Sequence, residues 1–190
     1  GHVRYSTIGR TTLENSQPIL IGGRFSIAHN GTIVNTDQLE AKVRREYSIP
    51  RYGTDTLLAG LRLLQILSGN GGDWFEAFKT LSGELIGAYC FVFLNERGEV
   101  YAARDSRGFR PLSIGRHRES STIIVASESC ALPVLGAELI RDVEPGEILR
   151  LHKGELESFR FAEHVRRAYC AFEYTYFAHP SSWIQGVSVY

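Results

Sequence analysis

The longest uninterrupted apolar run in the chain is Ala88–Leu94, seven residues. That is the length of a buried strand and far short of the about 20 residues a membrane-spanning helix needs. It begins after Gly87 and ends on Asn95-Glu96-Arg97-Gly98, a turn sequence, beyond which Glu99–Arg104 reads as a return strand. A central antiparallel hairpin is therefore the first expectation for the fold. The rest of the composition agrees with a core around it. Of 190 residues, 43% are hydrophobic and 22% charged, which is globular rather than disordered.

Further strand signals follow on the C-terminal side. Thr122–Ala126 is a β-branched run, Glu144-Pro145-Gly146-Glu147 separates two more strand-like segments, and Lys153-Gly154 marks another hairpin. Ahead of the hairpin the period is helical. Leu39, Val43 and Tyr47 recur every four residues after Asn35, which stands three residues before Gln38 as in a capping box. Thr54 can cap a second helix, with Asp55 in its first turn, and Asp73 a third, with Trp74, Phe75, Phe78 and Leu81 facing inward. Helices grouped between strand blocks predict an α+β chain with antiparallel sheets. Residues 162–190 break the pattern, and read as a linker or the edge of another domain.

Charge and cysteine content narrow the function. Twenty-one basic and 21 acidic residues cancel, and Arg44-Arg45 and Arg166-Arg167 are the only local basic clusters, so no nucleic-acid partner is expected. No basic stretch followed by an apolar block opens the chain, and no membrane partner is expected. Cys90, Cys130 and Cys170 are odd in number and widely spaced, which fits reduced thiols in a cytoplasmic protein and no zinc site. The chain holds no methionine and starts at Gly1. Either an initiator was removed or residue 1 is not the natural start.

Three polar segments could carry chemistry. Arg4, between Val3 and Tyr5, could hold a carboxylate by two parallel bonds, or an internal acid. Asn30-Gly31 is a common turn dipeptide, and Ile33 and Val34 could resume a strand after it. An Asn amide beside a glycine N–H can also hold an oxyanion. Asp55 is a natural helix-start residue that could equally bind an ammonium group. Together they could hold a free amino acid with a reactive amide, namely glutamine. A nucleophile is missing.

These segments carry a family resemblance. Gly1–Thr7, His29–Asn35 and Thr54-Asp55-Thr56 resemble the glutamine-binding motifs of class II glutamine amidotransferases, and Arg104–Leu112 and Ala126–Ser129 match the same group. The family consists of N-terminal-nucleophile hydrolases with a four-layer αββα sandwich of antiparallel sheets. Arg141–Glu147, Phe172–Ala178 with Pro180-Ser181-Ser182, and Gly186–Tyr190 are similar to the branch that transfers glutamine-derived ammonia to phosphoribosylpyrophosphate in the first step of purine synthesis. Hexosamine-forming or asparagine-forming members, or a non-catalytic glutamine-binding module, are the alternatives.

The resemblance implies roles. Arg4 would bind the glutamine α-carboxylate with Thr7 close by, Asp55 the α-ammonium group, and Asn30 and Gly31 the oxyanion, with His29 shaping the strand end. It also implies departures. The family's nucleophile is an N-terminal cysteine whose own amine acts as base, whereas residue 1 here is glycine, and Leu57 stands where the family often has Glu. The expectation is therefore an internal fragment, incomplete at its N-terminus and inactive alone. Residues 1–165 would be the glutaminase domain and 166–190 a junction to an absent phosphoribosyltransferase domain. That domain would use Mg2+ and bind phosphoribosylpyrophosphate, and the parent would be a homo-oligomer. No cofactor is expected in this chain, although Cys170 matches one ligand of a [4Fe-4S] cluster carried by some parents.

Overall fold

A computed structural model describes residues 1–3, 12–49, 53–162 and 166–190. The predicted hairpin forms its centre. Strands β3 (Gly87–Asn95) and β4 (Val100–Arg104) pair antiparallel, with Cys90 opposite Arg104 and Leu94 opposite Val100. Around them lie β1 (Ile19–Ile21), β2 (Phe25–Ile33), β8 (Glu147–His152) and β9 (Glu155–Arg160), in the order β1-β2-β3-β4-β8-β9. A second sheet, ordered β6-β5-β7, is built from β5 (Ser113–His117), β6 (Ile123–Ala126) and β7 (Ala137–Asp142). Every pairing among the described residues is antiparallel. The α+β expectation holds.

Alternation along the strands sorts the residues into two cores. Phe25, Ile27, Phe91 and Phe93 point to one face, where they meet α1 (Thr36–Val43), α2 (Asp55–Gly69) and α3 (Trp74–Glu84) through Leu39, Leu58, Leu63, Phe78 and Leu81. Cys90, Ala102 and Leu149 point to the other face and meet Leu112, Ile114 and Val143 between the sheets. Beyond the second sheet lies one helical turn, α4 (Ala131–Val134). Its Leu132 reaches the sheet because Gly115 has no side chain, and a Cβ there would stand 2.7 Å from Leu132. The layers are thus helix, sheet, sheet and a short helix, consistent with the expected αββα type.

The helix starts follow their caps. Thr54 Oγ1 accepts from the Leu57 N–H, and Asp73 Oδ1 from the Phe75 and Glu76 N–H groups. Asn35 precedes α1 without capping it. Its amide instead donates to Gln38 Oε1 and the Glu84 carbonyl and accepts from the Ile86 N–H, tying the end of α3 to the β2–α1 connection.

A second local expectation is also corrected. Asn30-Gly31 does not turn: β2 runs unbroken through it, with Asn30 opposite Cys90 and Gly31 opposite Tyr89. The glycine is needed for close approach, because Gly31 has φ +146° and a Cβ there would lie 2.0 Å from the Ala88 carbonyl oxygen. Glu144–Glu147 separates two strands, as expected, but does not join them into a hairpin. It carries the chain from β7 in one sheet to β8 in the other, and local turn propensity says nothing about which sheet the next strand enters.

Residues 166–190 lie on this body. They include a π-helical turn, Glu173–Phe177, and a small hairpin of β10 (Trp183–Ile184) and β11 (Val187–Ser188). The Gln185 N–H donates to Asp142 Oδ2 and its side-chain amide to the Gly108 carbonyl, while Ile184 and Ser182 are buried. No helix among the described residues is long and apolar enough to cross a membrane.

Candidate functional site

A cleft of about 420 Å³ opens where the C-terminal half of β2 meets the start of α2. Asn30, Gly31 and Asp55 all line it, so one chamber collects three of the five residues predicted to act on substrate. The other two, Arg4 and Thr7, lie outside the described residues.

Asp55 is 5% exposed. Its Oδ2 accepts from the Ile33 N–H (3.0 Å) and its Oδ1 from the Thr56 N–H (2.9 Å). These two amides hold the carboxylate between β2 and α2, and the helix start adds favourable positive potential. Among the described residues no Lys or Arg pairs with it. Its nearest titratable neighbour is His29, whose Nδ1 is 3.8 Å from Oδ2. His29 alternates away from Asn30 and packs on Phe91. Burial pushes its imidazole below the usual range, against Asp55 and the Ala88 carbonyl, which pull it up. It lines the cleft beside Asp55.

The opposite wall comes from the Arg104–Leu112, Ala126–Ser129 and Phe172–Ala178 motifs. Arg110 Nη1 is 2.5 Å from Glu173 Oε2, and its guanidinium lies 5.3 Å from the centre of the Phe177 ring. Glu128 Oε2 accepts from the His179 N–H (2.7 Å) and the Ser182 hydroxyl (2.6 Å). Ser129 Oγ accepts from the Trp183 N–H (2.8 Å). The Ala126–Ser129 motif thus pins the last 25 residues against the cleft. Gln17, absent from the sequence expectations, also lines it. No local pattern marks a lone Gln twelve residues from the backbone N–H from which it accepts.

The Arg104–Leu112 motif acts from beneath. Arg104 is 1% exposed, has no carboxylate partner among the described residues, and donates to the carbonyls of Arg110 (2.7 Å), Val143 (2.8 Å) and Gly108 (2.9 Å). Asp105 is ringed by N–H groups of Arg107, Gly108, Phe109 and Tyr89. This loop presents Arg110 to the cleft, and its Asp105 N–H holds the carbonyl of Tyr89, the partner of Gly31.

The cysteines are not arranged for catalysis or for a cluster. Cys90 is buried between the sheets beside Asn30, its thiol pushed well up by burial and donating to the Arg110 carbonyl. Cys130 and Cys170 are free and half-buried. A four-iron cluster needs four thiolates, and the segment around Cys170 offers one, so the residues present do not by themselves fit that group. Among the described residues no group of three or more His, Cys, Asp or Glu side chains could hold a metal ion.

One chamber thus gathers Asn30 and Gly31 of β2 and the buried Asp55 carboxylate at the start of α2. The family profile of the glutamine amidotransferase domain matches residues 2–134, and the chain belongs to that family. Its relatives include the amidophosphoribosyltransferases of Archaeoglobus fulgidus, 42% identical over all of this chain and 41% of that protein, and of Bacillus subtilis, 38% identical over all of this chain and 40% of that protein. The solved glutamine phosphoribosylpyrophosphate amidotransferase from B. subtilis, complexed with ADP and GMP, superimposes with a TM-score of 0.86 at 36% identity, covering 99% of this chain and 40% of that one. A structure described as the allosteric regulatory enzyme of purine biosynthesis gives 0.85 at 37% identity, with the same coverage. The chain spans about two-fifths of the length of these relatives.

Proposed function

We propose that this chain is the glutamine-handling part of an amidophosphoribosyltransferase. The observation that carries the reading is the placement of Asn30, Gly31 and Asp55 around one cleft. Asp55 takes the α-ammonium group of glutamine, and Arg4, with Thr7, takes the α-carboxylate. The substrate carboxamide then points at Asn30 and Gly31. The Asn30 side-chain amide and the Gly31 N–H donate to the oxygen that becomes negative when a thiolate attacks the amide carbon. Collapse of that intermediate expels ammonia and leaves a thioester, which water hydrolyses to glutamate.

The thiolate is not one of the three cysteines here, since Cys90 is buried with a raised thiol pKa and Cys130 and Cys170 lie on other segments. An N-terminal cysteine outside these 190 residues would supply it. The amine of that cysteine, with an ordinary pKa of about 7.7–8.0, is suited to move the proton at neutral pH. In the complete protein the ammonia would displace pyrophosphate from phosphoribosylpyrophosphate at a second domain. Mg2+ would hold the pyrophosphate there. The domain division at about residue 165, homo-oligomeric assembly and a cytoplasmic setting belong to the same proposal.

The test is an ammonia-release assay with glutamine. The 190-residue chain is expected to show no activity above background, and the longer polypeptide starting at the cysteine is expected to be active. Clear glutaminase activity from the 190 residues alone would overturn the assignment of the nucleophile.

A further inference from the structure

Gln17 sits two residues before β1, and its carboxamide continues the sheet edge there. Its Oε1 accepts from the His29 backbone N–H at 2.6 Å. A backbone N–H can only donate, so the atom facing it is the amide oxygen and the orientation of the carboxamide is set. Nε2 is thereby turned toward Thr56 Oγ1, 3.2 Å away, to which it can only donate. Thr56 is 1% exposed, and its hydroxyl, already accepting from Gln17, needs an acceptor for its own proton. His29 Nδ1 lies 3.2 Å from that oxygen. A proton given to Nδ1 from the hydroxyl requires a lone pair on Nδ1, and therefore the ring proton on Nε2. Nε2 is buried facing the Ala88 carbonyl, short of full hydrogen-bond geometry.

The polarity of this relay bears on the cleft, because the same Nδ1 is 3.8 Å from Asp55 Oδ2. A proton on Nδ1 would give Asp55 an internal partner, and a ligand cation would have to compete with it. A lone pair there leaves the carboxylate, among the described residues, with its two backbone amides.

We propose that Gln17 is a positioning residue which, through Thr56, holds His29 with its proton on Nε2 and so keeps Asp55 open to the ammonium group of the ligand. The second half rests on the reading of Asp55 given above. Gln17 touches no reacting atom. It sets the direction of two hydrogen bonds, and the tautomer follows.

The tautomer can be read directly. In 15N-histidine-labelled protein at neutral pH, long-range 15N–1H spectra distinguish a protonated ring nitrogen from an unprotonated one. His29 is expected to show an unprotonated Nδ1. In Gln17→Glu the outer oxygen can only accept, so the Thr56 proton turns to it and Nδ1 gains a proton. Glutamine affinity, measured by calorimetry, is expected to fall about tenfold. Thr56→Val should give the same loss, and Thr56→Ser should restore the wild-type pattern. Gln17→Ala provides a second variant, in which the His29 amide should lose protection from hydrogen exchange. A proton on Nδ1 in the wild type, or an unchanged His29 in Gln17→Glu, overturns the proposal. Comparing glutamine with 4-carbamoylbutanoate, which lacks the amino group, separates the two readings. Equal affinities alongside the expected tautomer overturn the Asp55 assignment and leave the relay standing.

Discussion

Asp55 and Asp105 are both buried aspartates, both stand in motifs shared with the same family, and both accept backbone N–H groups. They differ in how fully they are occupied. Asp105 takes four N–H bonds, from Arg107 and Gly108 on one oxygen and Phe109 and Tyr89 on the other. It lies behind the cleft, wrapped by its own loop. Asp55 takes two, one per oxygen, and lines the cleft. A carboxylate saturated by amides is a fastener for the backbone. One that keeps acceptor capacity toward a chamber is available to a ligand. Arg104 and Arg110 repeat the contrast, the first spent on three carbonyls and the second on the cleft wall.

The comparison is open to direct attack. The largest effect is expected for Asp105→Asn, which points an NH2 group at two buried N–H donors. It should lower the unfolding free energy by roughly 2–4 kcal/mol in denaturant titrations, while the molecules that remain folded bind glutamine normally. Asp55→Asn should cost only about 1 kcal/mol of stability. It should weaken glutamine binding about 100-fold, or about 2.7 kcal/mol. Equal destabilisation by the two substitutions, or loss of binding in folded Asp105→Asn protein, would erase the distinction.

The smallest effect concerns pH and belongs to the cleft side, since the Arg104–Leu112 loop holds no histidine. His29 faces Asp55, His2 and Arg110, and its folded pKa is lowered by burial. The unfolded chain therefore takes up a proton that the folded protein refuses. Stability should fall as pH drops through about 6.5 and level off below the folded value. The slope should not exceed about 1.4 kcal/mol per pH unit, and it should be absent from that window in His29→Gln.

Much of the fold was legible in the chain. The β3–β4 hairpin, the caps at Thr54 and Asp73, and the inward faces of α1 and α3 follow from periodicity and turn chemistry that act over a few residues. The glutamine motifs led to the cleft because its residues sit in short runs at strand and helix ends. What was misread depends on distant neighbours. Asn30-Gly31 has turn chemistry, yet it stays extended because β3 presses against it and only glycine tolerates the Ala88 carbonyl. Glu144–Glu147 separates two strands as read, but that these strands join different sheets is set by packing far from the turn.

By itself the sequence determined the kinds of elements, their order, and the motifs shared with the glutamine amidotransferase family. The tertiary structure alone decided which of the two aspartates lines the cleft, which glycine is indispensable, and that the Gln17 carboxamide reaches the backbone of a histidine twelve residues away. Those outcomes turn on distances of a few ångströms between segments far apart in the chain, where hydrogen-bond saturation and steric overlap are settled only once the layers have packed.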